Sequence, residues 1–458
     1  MIELNSKMNS VVLWMCLFFE SLCLFIYAPN YYSYSFNLFC FIHYILSCII
    51  FFKLDRKKNY FDFDVFFMVT YLFVMFIYPV FIYNDNPSFS VFKYDFNEDL
   101  ISKGSALSLL GIQSYILGAS FVKSKVDILK ENKKEYIKSS ILTVLLYFIL
   151  IAFILSGGLQ TFSDLYAKKK VESGISYYIL LLIPALAFPA ISSWFYNIKL
   201  RSTIIKRGDL FDNFFLLLFV VIFVLLLLGV GSRTLPIQFV LFIGGIYSML
   251  FYNLSPLKLF PFLLLGVLVM FYVLLLRSNT DASTANFDFF DIFMDLIINN
   301  RNTYVALDYV DKQGITWGES MLASMLSPIP FLQSVIINMF GLNSTDCASS
   351  LVITKLTLGS EKNLDVGFGT NIIADLYIAY GLCGVVLGML FLGYFVNKLR
   401  KRRENIYYLV AYGVMMSYAV YLVRAEFLFF LRLLLWSLAV VNIVKLHPIV
   451  IKCGNRKF

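Results

Sequence analysis

Residues 213–230 read NFFLLLFVVIFVLLLLGV, with no charge anywhere in the run. Wound as a helix rising about 1.5 Å per residue, the run is roughly 27 Å long. That is close to the ~30 Å hydrocarbon thickness of a bilayer. A short turn, Gly231-Ser232-Arg233-Thr234, separates it from a second apolar run at 234–253. The pair predicts two transmembrane helices joined by a tight hairpin. Working outward, comparable runs lie at 11–29, 34–52, 63–83, 104–122, 139–156 and 175–196 on one side, and at 257–276, 371–396, 405–423 and 426–444 on the other. The expected fold is therefore an all-α polytopic integral membrane protein with about 12 transmembrane helices. One gap breaks the rhythm, a polar island at 277–370 between helices 9 and 10. The expected organisation is helices 1–9 over 1–276, a large loop over 277–370, helices 10–12 over 371–444, and a tail over 445–458.

Composition agrees. Apolar residues make up 60% of the 458 and charged residues 15%, a balance no soluble domain carries. The 48 Phe and 30 Tyr suit bilayer packing and interfacial aromatic belts. Five of the seven cysteines fall in apolar runs and only Cys347 lies in the island, so no disulfide framework is expected. With only His43 and His447 available, neither a histidine metal site nor a Ser-His-Asp triad is expected. The apolar run after Lys7 is long and lacks a small-residue cleavage site, so it reads as a retained first helix.

Charge sets the orientation. On the alternation above, one side of the membrane receives 25 of the 38 lysines and arginines. They include the run Lys398, Arg400, Lys401, Arg402 and Arg403. The positive-inside rule makes that side cytoplasmic. Both termini then lie in the cytoplasm and the island lies outside. The net charge of +9 belongs mostly to the cytoplasmic leaflet rather than to a nucleic-acid surface.

The island carries ten acids and five bases. Within it, 286–311 has a helical pattern that places Asp288, Asp291, Asp295, Asn299 and Asn302 on one face. This predicts an amphipathic helix on the outer leaflet, whose deletion would leave folding intact. Ser327-Pro328-Ile329-Pro330 is a helix breaker. The apolar pieces around it are too short to span and suggest a segment that dips back and roofs a cavity. On the opposite side, Asp62-Phe63-Asp64 has the look of the acid pair of nucleotide-sugar enzymes. It also stands at a helix start, where acids suit the dipole.

Several cations stand at the outer boundary, where charge is costly unless used. Arg233 lies in the tight turn, Arg277 ends the ninth span, and Arg424 and Arg432 bracket Glu426. Lys168, Lys169 and Lys170 form a cluster in an outer loop. Arginine forks bind phosphate oxygens in pairs, so such a set suits a lipid pyrophosphate. The alternative is that Arg424 and Arg432 pair with Glu426.

Taken together the chain resembles the Wzy-type O-antigen and repeat-unit polysaccharide polymerases. Three local features carry the likeness beside the span plan. They are Ser156-Gly157-Gly158-Leu159 leading to the lysine cluster, the Gly-Ser-Arg-Thr turn, and Gly367-Phe368-Gly369-Thr370 followed by Asp375, Tyr377, Tyr380-Gly381 and Gly384. The cluster is lysine here where arginine is common in the family. In this reading Gly381, Gly384 and Gly388 let helices or a lipid tail come close.

The resemblance implies a glycosyltransferase of GT-C-like architecture in the bacterial inner membrane. It would take undecaprenyl-pyrophosphate-linked glycans as both donor and acceptor, with no cofactor, no metal and no nucleic acid, and a chain-length regulator protein as a possible partner. Arg233 and Arg277 are the first choices for gripping the pyrophosphate, then Arg301 and Arg424, with Lys168, Lys169 and Lys170 in support. Asp375, Glu319 and Asp365 are the candidate bases. Two other readings use the same lipid. A flippase would be expected to show short loops and two similar halves. An O-antigen ligase would be expected to carry a histidine in the outer loop, where this chain has none.

Overall fold

The computed structural model describes residues 2–54, 57–84, 96–122, 139–160, 175–201, 205, 208–209, 213–229, 232, 234–261, 264, 266, 296–358 and 367–446. Among these residues there are helices and turns and no strand. In chain order the α-helices are α1 (Ile2–Ile26), α2 (Tyr34–Leu54), α3 (Phe63–Met75), α4 (Ile101–Ser120), α5 (Ser139–Leu155), α6 (Ile175–Arg201), α7 (Phe214–Gly229) and α8 (Thr234–Leu250). They continue with α9 (Arg301–Gln313), α10 (Leu322–Leu326), α11 (Leu332–Phe340), α12 (Ser349–Leu358), α13 (Ile372–Lys401), α14 (Ile406–Ser417) and α15 (Leu431–Leu446). Each expected span overlaps a helix among the described residues, although 257–276 lies largely outside them. Tyr34–Leu54, Glu98–Ser120, Ser176–Arg201 and Ile372–Lys401 are long and apolar enough to cross a membrane, and shorter apolar helices accompany them. The chain is an all-helical membrane protein.

Helix α4 is the axis of the bundle and is buried along almost its whole length. Its sequence explains this. Gly104, Ser105, Ala106, Ser108, Gly111, Ser114, Gly118 and Ala119 leave no bulk on several faces, so neighbouring backbones approach closely. A Cβ on Gly118 would sit 2.0 Å from the Leu390 carbonyl, and one on Gly393 would sit 1.9 Å from the Tyr115 carbonyl. Helices α4 and α13 therefore touch backbone to backbone.

At one end of the bundle, charges are buried in a closed group. Lys57 Nζ lies 2.7 Å from Asp62 and 3.3 Å from Asp64, and Arg400 Nη1 lies 2.9 and 3.1 Å from the same two acids. Tyr115 donates to Asp64 at 2.5 Å and Asn397 does so at 3.4 Å. Asp62 also caps α3 through the Val65 amide. The Asp62-Phe63-Asp64 acids are thus taken up by two cations, as an internal clasp that ties α3, α4 and α13 together.

The opposite end is where helices break. Met75 ends α3, and Pro79 follows in a π turn, Tyr78–Ile82. Proline has no N–H to give the carbonyl four residues back, which is that of Met75. Asn300 replaces it, donating to Val74 O at 2.9 Å and Met75 O at 2.8 Å. Helix α13 breaks at Gly381, whose φ of 62° and ψ of −146° are not helical. The carbonyls of Ile378 and Ala379 then accept from the Thr316 and Gly318 amides at 2.9 and 3.2 Å.

The break at Gly381 corrects the expected tenth span. Ile373 and Val385 both face Gly111, and Leu376 lies against Gly384 and Gly388. Residues 372–380 thus rise beside the upper part of 382–401 instead of continuing it. Gly384 and Gly388 make room for the chain's own returning segment, not for a separate helix or a lipid tail. The remaining 382–401 stretch, about 30 Å long, is still sufficient to cross a bilayer.

The amphipathic helix expected at 286–311 is also corrected. Its described part is a 3-10 turn, Ile298–Asn300, running into α9. Asn299, Asn300, Arg301, Asn302, Thr303 and Tyr304 are all buried. Asn302 holds a neighbouring backbone carbonyl, Phe368 O, inside the protein, and the Asn299 side-chain oxygen accepts from Asn302. Deleting 286–311 would remove that core, so the expectation of intact folding does not stand.

Candidate active site

Asp375 stands in the first turn of α13 and is completely buried. Its position is fixed by Asn371, whose side chain caps the helix by accepting from the Ile373 and Ala374 amides at 3.1 and 2.8 Å. The Asp375 Oδ2 accepts from the backbone N–H of Phe427 at 2.7 Å. The buried Ser349 hydroxyl lies near the same carboxyl but outside hydrogen-bond geometry. The Oδ1 atom is buried without a close hydrogen-bond partner.

The residue before Phe427 supplies a second carboxyl. Glu426 accepts from Ser350 at 2.7 Å through one oxygen and from Ser324 through the other. Its charge acts on Asp375. A buried acid and a half-buried one therefore share a site built from α10, α12, α13 and the segment between α14 and α15. That segment is irregular from 418 to 430, with a 3-10 turn at Leu422–Arg424. Non-helical backbone inside a membrane protein is stable where protein or a watery cavity surrounds it.

One cation, Arg424, stands on the same segment and another, Arg432, at the start of α15. The Arg424 guanidinium lies 5.6 Å from the Tyr421 ring centre, and Arg432 lies close enough to Tyr418 to act on it electrostatically. Tyr421 is bonded to Thr234, at the start of α8, at 3.3 Å. Both carboxyl oxygens of Glu426 accept from serines.

The Gly367-Phe368-Gly369-Thr370 turn sits on the asparagine cradle below. Asn371 donates to Asn299 O at 2.7 Å and to Thr303 at 3.0 Å. Asn302 donates to Phe368 O at 3.2 Å. Gly369, at φ +63°, is one place where the turn requires glycine. Arg301 is 1% exposed. Its guanidinium lies between the rings of Phe96 and Phe368, at 5.8 and 5.6 Å, and donates to Thr357 at 2.8 Å. Held in this way, Arg301 braces the turn.

Of the residues expected to act, Asp375 and Arg424 are brought to one neighbourhood. Glu319 is half-buried at the start of the turn Glu319–Met321, where its charge acts on Tyr309 and Cys347. Arg233, Arg277, Asp365, Lys168, Lys169 and Lys170 lie outside the described residues. Of the described residues that flank Arg233, Thr234 donates to the Tyr421 hydroxyl and Ser232 to the Leu227 carbonyl. Sequence reasoning missed Ser324, Ser349, Ser350 and Asn371. The only signal they gave was polar residues clustered without a helical period. Among the described residues, no group of three or more His, Cys, Asp or Glu could hold a metal ion.

A family model for the O-antigen polysaccharide polymerase Wzy matches residues 11–454. The chain belongs to that family. No curated protein and no solved structure is similar enough to register as a match. The match covers nearly the whole chain, so O-antigen polymerase function attaches to the bundle and the island together.

Proposed function

We propose that this O-antigen polymerase transfers a growing glycan from an undecaprenyl pyrophosphate donor to the non-reducing end of a fresh lipid-linked repeat unit. The reaction takes place on the outer side of the inner membrane. About a dozen spans carry the site, both termini are cytoplasmic, and 277–370 forms the outer loop. The basic side of the bundle supports this orientation, since the clasp of Lys57 and Arg400 sits at the end opposite Asp375.

The observation that carries the reading is the pairing of a buried Asp375 with Glu426, beside Arg424 and Arg432. Transfer breaks the bond between the donor's anomeric carbon and pyrophosphate and forms a bond from that carbon to the acceptor hydroxyl oxygen. The hydroxyl proton goes to Asp375, whose Oδ1 is the oxygen left without a close partner. Undecaprenyl pyrophosphate leaves with both bonding electrons. Arginine forks, Arg424 first and with Arg233 and Arg277, stabilise the charge that develops on it. Because pyrophosphate is already a good leaving group, holding the two substrates in line supplies much of the acceleration.

The test is a gel of surface polysaccharide from a deletion strain carrying either the wild-type chain or Asp375→Asn. A single repeat unit on the lipid core, with the ladder restored only by wild type, is the expected result. Core alone with lipid-linked polymer in the membrane would assign the step to ligation instead. Core alone with units trapped on the cytoplasmic face would assign it to flipping.

A further inference from the structure

From Ser320 to Thr345 the chain carries no charge, although it belongs to an island with fifteen charged residues. This stretch includes α10, the Ser327-Pro328-Ile329-Pro330 breaker and α11. Its apolar side chains are turned outward. Met325, Ile329, Phe331, Val335, Met339 and Phe340 are each about half exposed or more, with Met339 at 77%. Val335 and Met339 are four residues apart, so they lie on one face of α11, and Phe331 stands at its N-cap. Ile337, off that face, is the buried residue of the helix.

Two contacts fix the depth of this hairpin. The Trp436 indole donates to the Pro328 carbonyl at 2.7 Å. Trp436 is five residues into α15, about 7.5 Å below its start. Phe331 packs on Tyr178 with ring centres 5.7 Å apart, and Tyr178 is in the first turn of α6. The breaker therefore hangs beside the bundle, below the starts of two membrane helices. The surface around it is continuous with their outward apolar residues, Leu435 and Leu182.

We propose that the hairpin over 325–340 is inserted in the outer leaflet, with Phe331 and the Val335 and Met339 face of α11 in contact with lipid acyl chains. A short uncharged amphipathic helix gains by burying such a face at the headgroup boundary. In water the same face would be an exposed patch of a kind soluble surfaces avoid. The inference deepens the functional reading and rests on its orientation for naming the leaflet. It also gives the insertion a purpose. Ser324, at the root of the hairpin, is bonded to Glu426, so anchoring the hairpin in lipid holds the mouth of the site at the level where a lipid-linked pyrophosphate lies.

The experiment uses full-length protein in phosphatidylcholine vesicles, with a genetically encoded fluorescent residue replacing Met339, Lys312 or Leu435 in turn. Doxyl lipids report contact with acyl chains and aqueous iodide reports contact with water. The expected result is that the probe at 339 is quenched by shallow doxyl lipid much as the one at 435, and several-fold less by iodide than the one at 312. Iodide quenching equal to that at 312 would overturn the insertion. So would a probe reached by neither quencher, since it would be covered by protein. These readings are independent of catalysis, so the polysaccharide gel can fail while insertion holds, and the reverse.

Discussion

The backbone amide of Phe427 is aimed at the carboxylate of Asp375, at 2.7 Å, across 52 residues of chain. This bond couples the returning segment of α13 to the irregular stretch between α14 and α15. The second carboxyl oxygen of Asp375 is buried without a close partner. Asp375→Asn keeps the shape and an acceptor for Phe427, yet removes the base. Polymer is expected to fall by roughly 10²-fold or more, the usual worth of a positioned base, with membrane content unchanged. A normal ladder from Asp375→Asn would make the residue a structural acceptor only.

Arg424→Lys keeps the charge and loses the fork. If Arg424 grips the pyrophosphate in a bidentate way, the lysine variant should make clearly less polymer than wild type, and Arg233→Ala should abolish the ladder without loss of protein. Chain-length profiles from matched expression levels check both. Equal profiles for Arg424→Lys and wild type would remove bidentate contact from the mechanism.

Gly393→Ala tests the helix contact below the site. The added carbon would fall 1.9 Å from the Tyr115 carbonyl, and backbone on both sides cannot step aside as a side chain can. A loss of about 1–3 kcal/mol or more is expected for such overpacking. A lower unfolding midpoint in detergent measures it. Gly229→Ala meets no such neighbour and has no positive φ, so it controls for the substitution itself.

Asp64→Asn opens the buried clasp at the other end. Lys57 and Arg400 would keep one acid between them, Asp62. Breaking a buried ion pair by removing one partner typically costs about 3–5 kcal/mol. The expected outcome is reduced protein in the membrane with no selective effect on polymer length. Unchanged thermal stability would show that the clasp is replaceable.

Acid should loosen the tie between Asp346 and α12. Burial alone would raise the Asp346 carboxyl, but hydrogen bonds from Lys355, Asn343 and Thr345 outweigh it and hold the group below its ordinary 3.8. A group lowered in the folded state contributes stability above its unfolded value and loses it as pH falls through the folded one. Lys355 is 58% exposed, so the effect is small. Hydrogen exchange over 349–358 should speed up more between pH 5 and pH 3 in wild type than in Asp346→Asn.

The spans were legible because hydrocarbon demands long apolar runs, and 213–230 could hardly be read otherwise. Asp375 was legible because a lone acid in an apolar helix start is costly. The reversal at Gly381 was not legible. Glycines three and four residues apart have the same spacing whether they admit a neighbouring helix or the chain's own return. Asn299 to Tyr304 misled for a related reason. Polarity signals water in a helix pattern, but here it signals broken backbone elsewhere, at Met75 and at the Gly-Phe-Gly-Thr turn, whose carbonyls those asparagines satisfy. The serines around Glu426 had no pattern at all, since their meeting depends on three segments far apart in sequence.

The turn-back at Gly381 divides the molecule into two storeys. The lower one is built of continuous helices locked by glycine contacts and a charge clasp. The upper one is assembled from half-helices, caps and turns, each held by side-chain bonds to a neighbour. Changes that refit the upper storey to a different sugar therefore need not propagate downward. A lineage could exchange its glycan while keeping the foundation that keeps it in the membrane.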